Sequence, residues 1–433
     1  MPKRTTSLLF VTRTSPFAGE SGSGAYVFDL LRYLAGNGVK IHTVWTEPPD
    51  LVPQRGWYTP PREARGVSSL EIMGAVKLGT RFWKHDVVWL PFKARASHVA
   101  KTVLRSLGLW RKRCEQSSPT SLTQSLHSSS SPSWGANCSA AERSIVQKAI
   151  ARFRPDVVLA NYAWMAPAAA VPGPLRRPIA VLTHDVRHRQ LHLANGQVRE
   201  VLGEYMTAQD ELACLASADG LIAIQETEAS VFQRLFPNKQ IVTAPLAVRP
   251  NALPFSKEPV VLFVGSHHVP NVAGVHWFID LVWPLIRAKF PAAQLHIAGS
   301  VCDSLRERTT PTEIQLLGRI RDLAEPYSRS RVVIAPILQG SGLKIKIIEA
   351  VSYGRPCVTT SVGAEGLENL QPALRVANTH EGFANEVLGL LSSVDRAQTA
   401  AEETLKLACT HFSVDACYRP VSTLLQQLAT ARP

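Results

Sequence analysis

Two successive series of apolar strands and amphipathic helices, separated by a proline-rich segment, constrain the fold of this chain more than any other feature. The first series opens with an apolar run at 7–12, a loop rich in Gly and Ser, a helical pattern at about 24–35 and a second run at 40–45. This spacing is typical of βαβ units in a parallel sheet. The sequence RPNALPFSKEP at 249–259 then predicts a domain boundary.

The alternation continues on both sides of this boundary. The first series has further predicted strands at 86–90, 156–160, 179–183 and 220–224. The second has predicted strands at 260–265, 294–299, 313–317, 332–336 and 357–360, and predicted helices at 272–290, 321–328 and 342–352. Three final helices are predicted at 381–391, 396–410 and 414–428.

The sequence therefore predicts an α/β fold with two Rossmann-like βαβ domains that face a central cleft, and C-terminal helices that pack back toward the first domain. We place the domains at 1–248 and 259–412, and the helix that crosses back at 413–433. Ten of the 24 residues at 116–139 are Ser, which predicts a mobile insert with too little apolar surface to offset its ordering entropy. Open α/β sheets bind ligands beyond the carboxyl ends of their strands, so the cleft is the expected site.

Composition indicates a globular protein with a large core. The chain has 433 residues, of which 45% are hydrophobic and 19% charged. Its seven Cys form neither a CxxC pair nor a Cys/His cluster, so we expect no metal site, and a reducing cytoplasm fits best. No apolar run reaches 18 residues, and the run at 8–11 is shorter than a signal-peptide core, which also predicts a cytoplasmic location.

Positive charge is concentrated in one segment of the chain. The formal net charge is +13, and the segment 77–113 holds ten Lys or Arg beside several Phe and Trp, against one acid, Asp86. This pattern favours the inner face of an anionic membrane, with a solvated basic face over buried tryptophans as the alternative. Nucleic acid is not expected as a partner, since no recognition module accompanies the charge.

The richest chemical signal is the strand–loop–helix at 331–367. A buried strand runs into Gly340, Ser341 and Gly342, where a helix is predicted to begin, so free backbone N–H groups suit a bound pyrophosphate. Helix phase places Lys346 and Glu349 on the same narrow face as Gly342. We expect Lys346 to neutralise phosphate charge and Glu349 to accept hydrogen bonds from ribose hydroxyls, with Lys344 as the weaker phosphate candidate.

This segment resembles the retaining group 1 glycosyltransferases, in particular a branch with the pattern GSGxKxKxxEA. The shared positions are Pro336, Gly340, Gly342, Lys346, Glu349-Ala350, Gly354-Arg355-Pro356 and Val358-Thr359-Thr360. The resemblance extends over nearly all of 259–370 and is looser in the first half. It departs at two points. The first of two family glutamates would fall at Ser341 or Gly340, and the usual diphosphate-binding Arg and Lys are replaced around Ser266, His267, His268 and Asn271.

The resemblance implies the GT-B fold and transfer of a sugar with retention of configuration. The donor would be a UDP- or GDP-sugar held by the C-terminal domain, and the acceptor a carbohydrate or lipid-linked glycan on the N-terminal side, as in polysaccharide biosynthesis. The departing diphosphate would help to deprotonate the acceptor, so neither an enzyme nucleophile nor a metal or other cofactor is expected. The donor-site residues would be Gly265, Ser266, His267, Gly340, Ser341, Gly342, Lys344, Lys346 and Glu349.

Two further features point to the cleft from the first domain. His184 ends an apolar strand and, by the resemblance, would touch the donor sugar or phosphate as the catalytic residue; it could instead cap its loop through Asp185. Gly22, Ser23 and Gly24 open the first helix and could approach the acceptor or the phosphates, or form a plain tight turn.

Two other functions stay open at this point. The missing first glutamate would suit a non-catalytic subunit that binds a nucleotide sugar or acts as a scaffold. The Gly-rich loop at 19–24 partly matches the GxGxxG motif of an NAD-dependent oxidoreductase, but Val27 stands at the third glycine position.

Overall fold

A computed structural model of the chain describes residues 5–17, 22–46, 56–60, 67, 69–73, 75–78, 81–84, 138–186, 206–306, 308, 311–320, 322–340, 344–370 and 373–431. Three predicted features fall wholly or mainly outside these residues. They are the strand at 86–90, the insert at 116–139 and the basic segment 77–113.

The first half contains ten described strands. They are β1 (Ser7–Thr12), β2 (Lys40–Trp45), β3 (Gly56–Tyr58), β4 (Ser69–Ile72), β5 (Ala75–Leu78), β6 (Arg81–Lys84), β7 (Val157–Asn161), β8 (Ile179–Leu182), β9 (Gly220–Ala223) and β10 (Gln240–Thr243). Seven of them form a parallel sheet in the order β10-β9-β8-β7-β1-β2-β4. The strands are apolar along both faces because helices cover both sides of a parallel sheet.

A small antiparallel sheet, which the sequence analysis did not predict, adjoins this domain. It has the order β3-β6-β5. Phe82 and Tyr58 from this sheet pack with Trp45 of β2 and with Phe17. The short strands lack the regular spacing of the βαβ pattern, so periodicity alone gave no signal for them.

Five helices belong to the first half of the described chain. They are α1 (Gly22–Gly36), α2 (Ala140–Phe153), α3 (Ala166–Ala169), α4 (Ala208–Ala216) and α5 (Glu226–Leu235). Helix α2 begins with a capping box between Ser139 and Glu142, whose carboxylate also pairs with the Arg13 guanidinium at 2.7 Å. Ser139 and the buried Cys138 therefore belong to the packed domain, which corrects the predicted end of the insert at 139.

The second half has its own parallel sheet. Its strands are β11 (Val260–Val264), β12 (Gln294–Ala298), β13 (Ile314–Gly318), β14 (Val332–Ala335), β15 (Cys357–Thr359) and β16 (Arg375–Val376), in the order β13-β12-β11-β14-β15-β16. Its helices are α6 (Val269–Lys289), α7 (Ala324–Arg329), α8 (Ile345–Ser352), α9 (Ser361–Ala364), α10 (His380–Leu391), α11 (Val394–His411) and α12 (Val414–Thr430).

Helix α6 is, among the described residues, the one helix long and apolar enough by composition to cross a membrane. Its apolar side belongs to the core of the second domain, where Val275, Phe278 and Ile286 are buried against the sheet. The π-helical turn Phe278–Val282 precedes Pro284, which cannot donate a backbone hydrogen bond within the helix.

The last helix, α12, packs against the first domain. Leu424 and Leu428 fill the space beside Gly220 of β9, where a Cβ would meet Leu424 at 3.1 Å. Tyr418 of the same helix lies edge-on to Tyr26 of α1, with ring centroids 5.9 Å apart. The predicted fold class, two βαβ domains with C-terminal helices that return to the first, is confirmed.

Candidate active site between the two sheets

The carboxyl ends of two neighbouring strands of the first domain carry an unusual backbone. Tyr162 follows β7 with φ 70°, and His184 follows β8 with φ 61°. Side chains other than Gly rarely adopt this left-handed region, and such conformations cluster at functional sites. The two rings stack with centroids 4.2 Å apart, so each holds the other in place.

Asn161 fixes the proton on His184. The amide nitrogen Nδ2 of Asn161 donates to Oγ1 of Thr12 and to Oγ1 of Thr14, both over 3.0 Å. Its oxygen Oδ1 must then face Nε2 of His184, at 2.7 Å. Since an amide oxygen can only accept, His184 Nε2 carries a proton and donates it to this hydrogen bond. Asn161 was not predicted, although a polar residue at the end of an apolar strand is a usable signal.

The first turn of α1 lies beside His184. The ring of Tyr26 is edge-on to His184 at 5.6 Å, and its hydroxyl donates to the Ala244 carbonyl over 2.6 Å. Gly22, Ser23 and Gly24 are the first three residues of this helix, two residues earlier than the predicted start. The structure thus brings Gly22 to Gly24 and His184 to the same end of the sheet.

In the second domain, α8 begins at Ile345 instead of the predicted Gly342, with Lys344 as its N-cap residue. Ser341 and Gly342 lie outside the described residues. Gly340 has φ 126°, in a region that favours glycine. A Cβ atom at this position would lie 3.6 Å from Pro270 of α6. Gly340 therefore lies against the N-terminal end of α6.

The two lysines of this segment have different surroundings from those that helix phase predicted. Lys346 is half-buried in the second domain, where its Nζ donates to Asn271 and lies 5.1 Å from the centre of the Phe263 ring. Burial lowers its pKa to about 8. Lys344 is buried, and the charges that act on it are Glu365 of its own domain and Asp185 and Glu228 of the first domain.

Glu349 accepts a hydrogen bond from Tyr327, which was not predicted to belong to the site. The hydroxyl of Tyr327 donates to Glu349 Oε2 over 3.2 Å, and the Tyr327 ring stacks on Tyr353 with centroids 4.5 Å apart. Burial raises the pKa of Glu349, while the Tyr327 hydrogen bond and the charge of Lys346 act against that rise. Glu349 thus presents a partly buried carboxylate with one oxygen oriented by Tyr327.

Arg355 ties this cluster to the linker between the domains. Its side chain is fully buried, and its guanidinium donates to the carbonyls of Tyr327 at 2.7 Å and Pro254 at 2.7 Å. A further bond reaches the Leu253 carbonyl at 3.2 Å. The arginine in the Gly-Arg-Pro sequence is therefore a structural residue that fixes the end of α8 against the predicted boundary at 249–259.

The loop after β11 contains the remaining predicted donor residues. Gly265 is buried, whereas Ser266 and His267 are exposed. The backbone N–H of His267 donates to Ser300 Oγ over 2.8 Å, and Asn271 Nδ2 donates to the Ser266 carbonyl over 3.0 Å. Through Asn271 this loop connects to Lys346, so the structure places it beside the start of α8.

Side chains of both domains meet across the cleft. Asp185 and Glu228 come from the first domain, and Lys344 and Glu365 from the second, and their charges influence one another. Burial, followed by the charge of Asp185, raises the pKa of Glu228 to about 9. Among the described residues, no group of three His, Cys, Asp or Glu side chains could hold a metal ion.

The family comparison matches the second domain. Residues 258–393 fit the profile of a family described as glycosyl transferases group 1. The chain is also 29% identical over 145 residues to an uncharacterized 44.6 kDa protein in the cps region of Klebsiella pneumoniae. That match covers 31% of this chain and 37% of the relative, so it spans little more than a third of the relative's length.

Solved structures match the whole chain at low identity. A sucrose-phosphate synthase from Thermosynechococcus elongatus is 16% identical with a TM-score of 0.65, over 99% of this chain and 100% of that one. A glycosyltransferase from Rickettsia africae is 11% identical with a TM-score of 0.59, over 99% and 100%. These likenesses show that the chain has the GT-B fold.

A third structure has a described complex. It is a mutant of TarM from S. aureus with Fondaparinux, alpha-GlcNAc-glycerol and UDP, 14% identical, with a TM-score of 0.53 over 65% of this chain and 58% of that one. The family match thus covers the second domain, and the shared fold covers the whole chain.

Proposed function

We propose that this chain transfers a sugar from a nucleotide-diphosphate sugar to a carbohydrate or lipid-linked acceptor, with retention of configuration. The observation that carries the proposal is that the charge of Asp185, which follows His184 in one domain, acts on Lys344 of the other, near the carboxyl ends of two parallel sheets. Open α/β sheets bind their ligands at this place.

The donor diphosphate lies at the start of α8 in this proposal. Lys344 supplies positive charge there, and the backbone of Gly340 and of the loop Gly265 to His267 lines the same end of the sheet. Glu349, one to two turns along the helix, accepts hydrogen bonds from the ribose hydroxyls. Because Lys346 is committed to Asn271 and Phe263, we assign it to the support of this loop instead of direct phosphate contact.

His184 contacts the donor sugar or its phosphate from the first domain. Its Nε2 proton is held by Asn161, which sets the orientation of the ring. In a reaction with retention, the departing diphosphate takes the proton of the attacking acceptor hydroxyl, so the protein acts by orienting both substrates and stabilising the charge of the leaving group. We expect the reaction to need no metal or other cofactor.

A thermal-shift screen with UDP, GDP and their sugar conjugates tests the proposal. We expect one nucleotide class to stabilise the wild type, Glu349→Ala to remove most of that shift, and mass analysis to detect release of the sugar. Glu325→Ala, an exposed acid on α7, is the matched control. Activity that persists in EDTA would support metal independence. No response to any nucleotide, or an unchanged response of Glu349→Ala, would contradict the assigned site.

The absence of an acid at Gly340 and Ser341 favours one alternative, a subunit that binds the nucleotide sugar without turning it over. The same screen separates the two functions. Binding that depends on Glu349, without sugar release or transfer to any glycan extract, would support the alternative.

We further propose that the protein works at the inner face of an anionic membrane, in polysaccharide biosynthesis. The support is the basic and aromatic composition of 77–113, where each cation near the surface contributes about 1 kcal/mol. Co-sedimentation with vesicles of phosphatidylglycerol and phosphatidylcholine should exceed that with phosphatidylcholine alone and fall with salt. Equal binding to both would refute this location.

A further inference from the structure

Two buried polar atoms of the first domain have no hydrogen-bond partner among the described residues. Gln225 precedes α5 and is 2% exposed, and Glu228 in the first turn of that helix is 3% exposed. Gln225 Nε2 donates to Glu228 Oε1 over 2.9 Å. The other oxygens, Gln225 Oε1 and Glu228 Oε2, have no hydrogen-bond partner within the described part of the chain. Buried polar atoms are nearly always paired, so such atoms call for an explanation.

These atoms lie against the second domain. Gln225 Oε1 is 2.0 Å from the position that a Cβ at Gly366 would occupy, so only glycine fits opposite it. Glu228 is near enough to Lys344 and Glu365 for their charges to act on it. The pair therefore lies at the contact between the two domains, within range of the charge of Lys344, which the proposed function assigns to the donor diphosphate.

The chemistry of this place suits neutral hydroxyl groups. Asp185 and Glu365 act on Glu228 more strongly than the positive charge of Lys344 does, so the pair suits a neutral group better than an anion. Burial keeps Glu228 protonated at neutral pH, since its pKa is about 9, so its carboxyl can donate as well as accept. The Gln225 oxygen accepts. The Gln225 oxygen and the protonated Glu228 carboxyl thus lie side by side. Together they match two adjacent hydroxyl groups of a sugar, because each hydroxyl can both donate and accept a hydrogen bond.

Resting on the proposed function, we infer that Gln225 and Glu228 bind hydroxyl groups of the transferred sugar while it is attached to the donor diphosphate. The sugar follows the diphosphate in the donor, and the charge of Lys344 acts on Glu228, so we place the sugar next to this pair. The two residues are then specificity-determining residues contributed by the first domain to a donor otherwise held by the second.

Calorimetry with a nucleotide and its sugar conjugate tests this role, using UDP with UDP-glucose and GDP with GDP-mannose. The quantity of interest is the ratio of the Kd of the bare nucleotide to that of the conjugate. We expect Gln225→Met and Glu228→Leu to lower this ratio about tenfold, the effect of one or two lost hydrogen bonds, with the bare nucleotide unaffected. Glu228→Gln keeps a neutral donor and acceptor and should retain the ratio.

Glu226→Gln, an exposed position on the same helix, is the matched control. Thermal unfolding of each variant checks that it folds; should Gln225→Met fail, the contrast between Glu228→Leu and Glu228→Gln decides. An unchanged ratio in the apolar variants, or equal losses for nucleotide and conjugate, would overturn the inference while the proposed function stands. No binding of any probe by the wild type would overturn both.

Discussion

The Tyr327 hydroxyl donates a hydrogen bond to Glu349 Oε2 across 3.2 Å, from the end of one helix to the middle of another. Tyr327 is itself fully buried, and its carbonyl accepts from the Arg355 guanidinium. The carboxylate assigned to the ribose is thus oriented by a residue that cannot move without disturbing the linker contacts of Arg355. Glu349 is held in position before any ligand arrives, which reduces the entropy lost on binding.

Tyr327→Phe should weaken nucleotide binding roughly fivefold, the effect of one hydrogen bond, with little change in turnover. Because that bond acts against the raised pKa of Glu349, its loss should also move the acid limit of binding to higher pH. Calorimetry between pH 5 and 8 measures both effects. Tyr353→Phe, which keeps the stacked ring, is the control. Identical pH profiles for wild type and Tyr327→Phe would show that the bond has no role.

The two lysines before and within α8 should respond differently to truncation. Lys344→Ala should reduce affinity for the nucleotide diphosphate about tenfold, because it removes one charge-assisted hydrogen bond to the ligand. Lys346→Ala should lower the stability of the second domain by about 2 kcal/mol, since it removes the contacts with Asn271 and Phe263. Thermal unfolding with and without UDP or GDP distinguishes the two effects. If Lys346→Ala lowered affinity and Lys344→Ala did not, Lys346 would be the residue that contacts the phosphate.

The regular alternation of apolar strands and amphipathic helices made the architecture predictable from the sequence. Runs such as β1 and β2 have the predicted bounds because an apolar strand between turn residues has few other structures available. The antiparallel β3, β5 and β6 were missed because strands of three or four residues are set by cross-strand pairing, which has no periodic signature.

The site was predictable in part. Glu349, His184 and the loop before α8 carry recognisable spacing, and the structure describes the first two near the cleft. The surroundings of Lys344 and Lys346 were not predictable from helix phase, because α8 starts at Ile345 and Lys344 precedes its regular turns. No sequence pattern indicates a role for Asn161, Tyr327 or Gln225, because each acts through a contact with a residue distant in sequence. Tyr327 and Glu349, for example, are 22 positions apart.

Asn161→Ala should slow sugar transfer or donor hydrolysis by about ten- to a hundredfold, since His184 would lose the bond that sets its ring and its tautomer. Nucleotide affinity should change much less. Asn161→Asp keeps an acceptor for His184 Nε2 and should restore part of the rate. Steady-state kinetics with the donor identified by the thermal screen measures the effect. Equal kcat values for the wild type and Asn161→Ala would contradict a role in the reaction for His184 as oriented by Asn161.

Stability should fall as pH rises because of Glu228. Its pKa is raised from 4.5 to about 9 in the folded protein, by burial and by Asp185 and Glu365, with Lys344 and Gln225 acting against the rise. Between these two values the folded chain holds a proton that the unfolded chain has released, so the free energy of unfolding decreases as pH rises through that window. Glu228→Gln removes this term, since the amide does not titrate.

The Glu228→Gln variant should therefore be more stable than the wild type at pH 8, and the difference should shrink toward pH 5. One pKa unit corresponds to about 1.4 kcal/mol, or roughly 3 °C in Tm, which is the least difference we expect at pH 8. Thermal unfolding at pH 5, 6.5 and 8 measures it, with Glu226→Gln as the exposed control. A Tm difference that does not vary with pH would mean that Glu228 is ionised in the folded protein, and its carboxylate would then need a cation or donor across the cleft.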